Sequence, residues 1–174
     1  MDFEITPLSN GFGAEVTGLD LSQTLSDDDF ETLRWVWFEA GVVVFRDQNL
    51  TPEHQVAFSR RFGQLIIHVL DQFQQPGQPE ILLISNKKRE DGTAVGFEEA
   101  GRYWHSDLSY VEKPAFGSLL YAVEIPPEGG DTMFADMRLA LKTLPDETLL
   151  RITSRRGRHS YTRNFENNEF LNSG

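Results

Sequence analysis

Apolar residues recur with a helical period between Asp27 and Ala40, where Phe30, Leu33, Trp37 and Ala40 fall on one face. Ser26 stands where a helix N-cap belongs, and Asp27, Asp28 and Asp29 stand where the positive end of the helix dipole favours negative charge. Gly41 can end the helix in a left-handed conformation. The run Val42-Val43-Val44-Phe45 that follows has the length and continuity of a buried strand. Thr51 and Pro52 then open a second helix that should run to about Phe62 and stop at Gly63. Before the first helix, apolar residues spaced between Gly11, Gly13 and Gly18 predict short strands joined by turns.

The same reading predicts strands at residues 65–67, 80–84, 118–125 and 132–134, with a last one centred on His159, Ser160 and Tyr161. Asp136 caps a predicted helix whose face is Met137, Ala140, Leu141 and Leu144, and Pro145 opens a further turn to about Ile152. Residues 86–102 are polar, carry Gly92, Gly96 and Gly101, and predict a long loop, either a lid or binding loop or a plain solvated surface loop. The tail at 164–174 is polar. No repeat and no low-complexity block interrupts the pattern.

Composition narrows the class. The 174 residues are 39% hydrophobic and 11% aromatic, enough for a sizeable core in one domain. Acidic residues number 27 against 16 basic ones, for a net charge of -11 without a basic stripe, so nucleic acid and anionic membrane surfaces are poor partners. The chain has no cysteine, which excludes disulfides, zinc fingers, iron–sulfur clusters and a thiol nucleophile. The first residues lack the charged and apolar regions of a signal peptide, and no apolar run is bilayer-long. A cytoplasmic protein is the expectation.

Candidate chemistry concentrates in Trp104-His105-Ser106-Asp107. On an extended chain His105 and Asp107 point to the same side, and one imidazole with one carboxylate is two-thirds of a facial triad for non-haem Fe(II). The spacing is weakly specific, and a histidine merely hydrogen-bonded to its carboxylate neighbour fits it as well. A second histidine would have to come from His54, His68 or His159. His54 sits near a helix start and is expected in solvent. His68 follows a predicted strand and suits a core or a pocket wall. His159 lies on a predicted strand, but Arg163 follows too closely for an oxo-acid to stretch between them. Gly129-Gly130-Asp131-Thr132 combines close backbone approach with a hydroxyl that can donate to a carboxylate, but taken alone it reads as an ordinary turn between strands. No Walker loop, nucleophile elbow or dinucleotide fingerprint is present.

Taken in order, these segments resemble the TauD/TfdA family of Fe(II)- and 2-oxoglutarate-dependent dioxygenases. The segments are Gly13-Ala14-Glu15-Val16-Thr17-Gly18-Leu19-Asp20-Leu21, Val44-Phe45-Arg46-Asp47-Gln48, Phe58-Ser59-Arg60-Arg61-Phe62-Gly63, Trp104-His105-Ser106-Asp107 and Gly129-Gly130-Asp131-Thr132. The resemblance implies a mainly β fold with flanking helices, an α+β variant of the double-stranded β-helix or jelly roll. It implies that His105 and Asp107 are metal ligands, that Thr132 contacts 2-oxoglutarate and that His68 faces substrate. Asp71 stands where the taurine branch has a tyrosine, and Gly101 where it has an asparagine; both departures count against taurine itself. The family's distal histidine and its 2-oxoglutarate arginine fall beyond residue 174, so the chain resembles the N-terminal portion of one such domain, with an incomplete jelly roll.

The implied activity is hydroxylation of a small organic acid, of sulfonate, sulfate ester or aryloxyalkanoate type, using dioxygen and releasing succinate and carbon dioxide. Family analogy also suggests a homo-oligomer. Two other classes compete: a catalytically inactive remnant acting as an interaction subunit, and a cupin-like small-molecule-binding module in which His105 and Asp107 are structural.

Overall fold

A computed structural model of the chain describes residues 2–8 and 11–160. They fall into two compact units, one formed by residues up to Ala100 together with Tyr121–Asp136, the other by Gly101–Leu120 with the described residues from Met137 onward.

The first unit is built around a three-stranded sheet. Strand β1 (Glu4–Pro7) pairs antiparallel with β2 (Ala14–Thr17), Ile5 opposite Val16, and β2 pairs parallel with β3 (Val43–Phe45), Glu15 opposite Val44. Parallel neighbours need a crossover, and helix α1 (Asp27–Ala40) supplies it. Its ends follow the predicted chemistry. The Ser26 hydroxyl accepts from the Asp29 N–H at 3.1 Å, and Gly41, at φ 78°, donates to the Trp37 carbonyl at 2.8 Å. The buried face is Phe30, Leu33 and Val36; Trp37 and Ala40, expected there, are only half-buried. The face turned inward is thus centred one residue earlier in the second turn than the apolar pattern suggested.

Leu33 and Val16, each 1% exposed, mark the centre of the core, where α1 lies on the sheet. Helix α2 (Pro52–Arg60) adds Val56 and Phe58. Edge-to-face contacts join Phe30, Trp37, Phe45, Phe58 and Phe62 into one aromatic cluster. The Arg61 guanidinium closes it on one side, 4.2 Å from the Phe30 ring centre, while bonding the Leu25 carbonyl at 2.8 Å and Asp27 at 2.6 Å. His54, expected in solvent, is half-buried. It completes a capping box: its N–H donates to the Thr51 hydroxyl, and its Nδ1 accepts from the Thr51 N–H, both at 3.3 Å.

After a short 3₁₀ turn (Asp71–Phe73), β4 (Gln74–Gln75) and β5 (Gln78–Leu82) form a separate two-stranded sheet. Arg60 of α2 reaches Glu80 of β5 at 2.5 Å. A backbone N–H bond and, second, this guanidinium hold the Glu80 carboxyl below its ordinary range.

Several predicted strands do not form. Residues 65–67, 118–125 and 132–134 have no ladder partner among the described residues, and Ile66, Ile67, Val123, Ile125, Met133 and Phe134 are exposed. An apolar run becomes a strand only when an adjacent edge completes its backbone bonds. The described strands do not themselves make up a jelly roll. In the second unit, α3 (Met137–Lys142) and α4 (Asp146–Thr153) form where expected, but Met137 and Leu141 of the predicted buried face are exposed. His159 and Ser160 are not in a strand; Tyr161, Arg163 and the tail at 164–174 lie outside the described residues. No helix among the described residues is long and apolar enough to cross a membrane.

The loop at 86–102 is folded rather than open. Lys88 bridges Ala94, the Val95 N–H donates to the Lys87 carbonyl at 3.0 Å, and the Phe97 N–H donates to the Leu83 carbonyl at 2.7 Å. The Phe97 ring stacks on Phe73 at 5.9 Å. Gly96 makes this approach possible, because a Cβ there would lie 2.6 Å from the Leu83 carbonyl oxygen and 2.8 Å from the Ser85 nitrogen. Both obstacles are backbone atoms that cannot swing aside. Gly96→Ala is expected to cost about 1–3 kcal/mol through this clash, measurable as a lowered urea midpoint. An unchanged midpoint would show that the loop does not depend on the contact.

Candidate functional site

The His105 and Asp107 side chains come together, although no strand forms around them. Residues 104–106 lie in no strand, and a turn begins at Asp107. The Ser109 N–H reaches the Ser106 carbonyl at 3.4 Å, and the Val111 N–H bonds the Leu108 carbonyl at 3.1 Å. Leu108, immediately after Asp107, adopts φ 51°, a left-handed conformation that costs a non-glycine residue about 1–2 kcal/mol. The chain therefore does not reach this shape by local preference alone; contacts around it must hold the turn.

Several contacts converge on the pair. His105 Nε2 lies 3.2 Å from Asp107 Oδ1. On the far side of the ring, His105 Nδ1 is 2.7 Å from the Tyr103 carbonyl oxygen, and the Tyr103 ring lies 5.6 Å from the imidazole. A carbonyl can only accept, so Nδ1 carries a proton; in a neutral ring Nε2 then turns a lone pair towards the carboxylate, and in a charged ring it donates a second N–H to it. Two acceptors facing each other need a cation between or beside them, either a proton on the imidazole or a metal ion. Asp107 Oδ2 accepts a bond from the Ser118 hydroxyl.

The donor set fits a metal. It offers one neutral imidazole nitrogen and one carboxylate oxygen, each with an outer partner fixing its orientation. Two donors about 2.1 Å from one ion and at right angles are about 3.0 Å apart, close to the observed 3.2 Å. The His105 and Asp107 side chains are 41% and 53% exposed, which leaves the donor atoms within reach of solution. No group of three or more His, Cys, Asp or Glu side chains capable of holding a metal occurs among the described residues.

The other two candidates lie in the first unit. His68 is half-buried, its Nδ1 accepts from the Leu70 N–H at 3.1 Å, and its carbonyl accepts from the Gln74 amide at 3.0 Å. With Nδ1 an acceptor, the proton of the neutral ring is on Nε2, which can donate to an anion. Thr132 is exposed and follows Gly129 and Gly130, both left-handed at φ 70° and 74°. His159 turns its ring back on Gly157, where a Cβ would sit 3.2 Å from Nε2.

Sequence reasoning missed the outer partners. Ser118 lies eleven residues beyond Asp107 with no regular element between them, and the Tyr103 carbonyl is backbone, so neither leaves a trace in residue type or period.

Residues 4–173 match the family described as taurine catabolism dioxygenase TauD, TfdA family. The (S)-phenoxypropionate/alpha-ketoglutarate-dioxygenase of Sphingobium herbicidovorans is 35% identical over 166 residues, covering 91% of this chain and 53% of that protein. The alpha-ketoglutarate-dependent 2,4-dichlorophenoxyacetate dioxygenase of Cupriavidus pinatubonensis is 34% identical over 168 residues, covering 91% and 58%. Among solved structures, a taurine dioxygenase from Burkholderia xenovorans superposes with a TM-score of 0.69 at 32% identity, over 87% of this chain and 52% of that one. The chain thus spans about half the length of these relatives.

Proposed function

The chain belongs to the TauD/TfdA dioxygenase family, and from that premise we propose that it serves an Fe(II)- and 2-oxoglutarate-dependent dioxygenase of the cytoplasm. The reaction hydroxylates a small organic acid of aryloxyalkanoate, sulfonate or sulfate ester type and releases succinate and carbon dioxide. Phenoxypropionate and 2,4-dichlorophenoxyacetate, the substrates named for two relatives, are carboxylates, and further relatives act on sulfonates and sulfate esters. The chain forms part of one jelly-roll domain.

The observation that carries the reading is the 3.2 Å approach of His105 Nε2 to Asp107 Oδ1, with Nδ1 engaged by the Tyr103 carbonyl so that Nε2 is the nitrogen left to a metal. These two residues hold the iron, and a third donor comes from outside the described residues. Bound iron supplies the oxygen activation that amino-acid side chains lack. The Thr132 hydroxyl donates to a carboxylate of 2-oxoglutarate, and the Gly129-Gly130 turn lets the backbone approach it without a Cβ in the way. The His68 Nε2–H donates to the anionic group of the substrate, while the Leu70 N–H holds the opposite ring nitrogen.

Anaerobic titration of the chain with Fe(II) and 2-oxoglutarate tests the site. A visible metal-to-ligand charge-transfer band is the expected result. A chain that binds Fe(II) without ever producing the band would remove 2-oxoglutarate chelation from the reading.

A further inference from the structure

We infer that Ser118 is a positioning residue for the metal site, acting through Asp107. The inference rests on the reading of His105 and Asp107 as metal ligands.

The Asp107 carboxylate has two oxygens in two different settings. Oδ1 faces His105 Nε2, and Oδ2 accepts from the Ser118 hydroxyl. An ionised carboxylate only accepts, so the serine proton must point at Oδ2, and the bond is charge-assisted. Without it the carboxylate is free to rotate about its Cβ–Cγ bond and exchange its oxygens. With it, one oxygen is tied back and the other is presented to the ion singly, which leaves room for further ligands on the same ion.

The imidazole is oriented in the same manner, by the Tyr103 carbonyl on Nδ1. Each ligand thus has one anchor, but only the serine is a side chain. The anchor matters because both side chains of the pair are substantially exposed rather than packed in place. Ser118 lies in the same compact segment, Gly101–Leu120, as the pair it serves. Removing an outer partner of a metal ligand typically weakens metal binding about 10- to 100-fold.

The test is Mn(II) binding to the full chain, followed by loss of the free-ion electron paramagnetic resonance signal, for the wild type, Ser118→Ala, Ser118→Thr and His105→Ala. Ser118→Ala is expected to weaken Mn(II) binding about 10- to 100-fold. Ser118→Thr, which keeps the hydroxyl, is expected to restore it, with the unfolding midpoint of both within error of the wild type. Should Ser118→Ala fail to fold, Ser118→Cys keeps the volume with a weak donor and is expected to show the same loss. Ser118→Ala binding as tightly as the wild type would overturn the inference, while loss in His105→Ala alone would leave the metal site standing. Threonine as weak as alanine would also overturn it, because the loss would then follow shape and not the hydroxyl. A wild-type chain with no affinity for Mn(II) would overturn the site and the inference together.

Discussion

Phe58→Ala is expected to lower the unfolding free energy by about 3–5 kcal/mol, the range for truncating a buried aromatic side chain. Phe58 is 7% exposed and is the joint between three elements. It projects from α2, and its ring meets Phe30 of α1 at 6.4 Å, Phe45 of β3 at 5.8 Å and Phe62 at 5.4 Å, all near-perpendicular. Alanine would lose the transfer free energy of the ring and leave three aromatic edges facing a void, because the helix and sheet that carry them cannot close on it. A domain is ordinarily stable by about 5–15 kcal/mol, so such a loss removes much of the margin. Phe58→Leu, which keeps most of the volume, is expected to cost far less. Urea denaturation of the three chains measures both steps. A loss below about 1 kcal/mol for the alanine variant would mean that the aromatic cluster is not the centre of the core.

The elements legible in the sequence are those whose partners are local. Helices α1 and α2 announce themselves through Ser26, Gly41, Thr51 and Pro52, and each of these residues makes or permits the backbone bond its type suggests. Strand β3 was legible because the run at 42–45 is short, continuous and followed by polar residues. The strands expected at 65–67, 118–125 and 132–134 failed for the opposite reason. A ladder depends on another segment's edge, which composition does not report, and these apolar stretches lack such an edge among the described residues.

The site divides the same way. Spacing suggested that His105 and Asp107 face one spot, and their side chains meet at 3.2 Å, although no strand forms there and a turn with a left-handed Leu108 follows the pair. His54 shows the converse: its place three residues into a helix was the clue to a cap, and the imidazole at a position usually taken by Glu or Gln concealed it.

His105→Ala is expected to abolish the Fe(II)–2-oxoglutarate band and to weaken metal binding by more than about 100-fold, beyond the usual effect of losing an outer partner. The reason lies in what remains. Asp107 would keep its bond from Ser118 and its negative charge, but a single carboxylate as exposed as this one holds a hydrated divalent ion only loosely. The nitrogen donor, which favours transition metals over magnesium or calcium, would be gone. His159→Ala supplies the control, since its ring turns back on Gly157 and it is not among the proposed donors; its band should match the wild type. Tyr103→Ala separates backbone from side chain. The bond that sets the His105 tautomer comes from the Tyr103 carbonyl, which alanine retains, so the band should persist with at most a modest loss from the missing ring contact at 5.6 Å. If Tyr103→Ala removed the band as completely as His105→Ala, the aromatic ring rather than the carbonyl would be what orients the imidazole. If His105→Ala left the band intact, Asp107 and His105 would be a hydrogen-bonded pair without a metal, and the iron site would have to be sought in other residues.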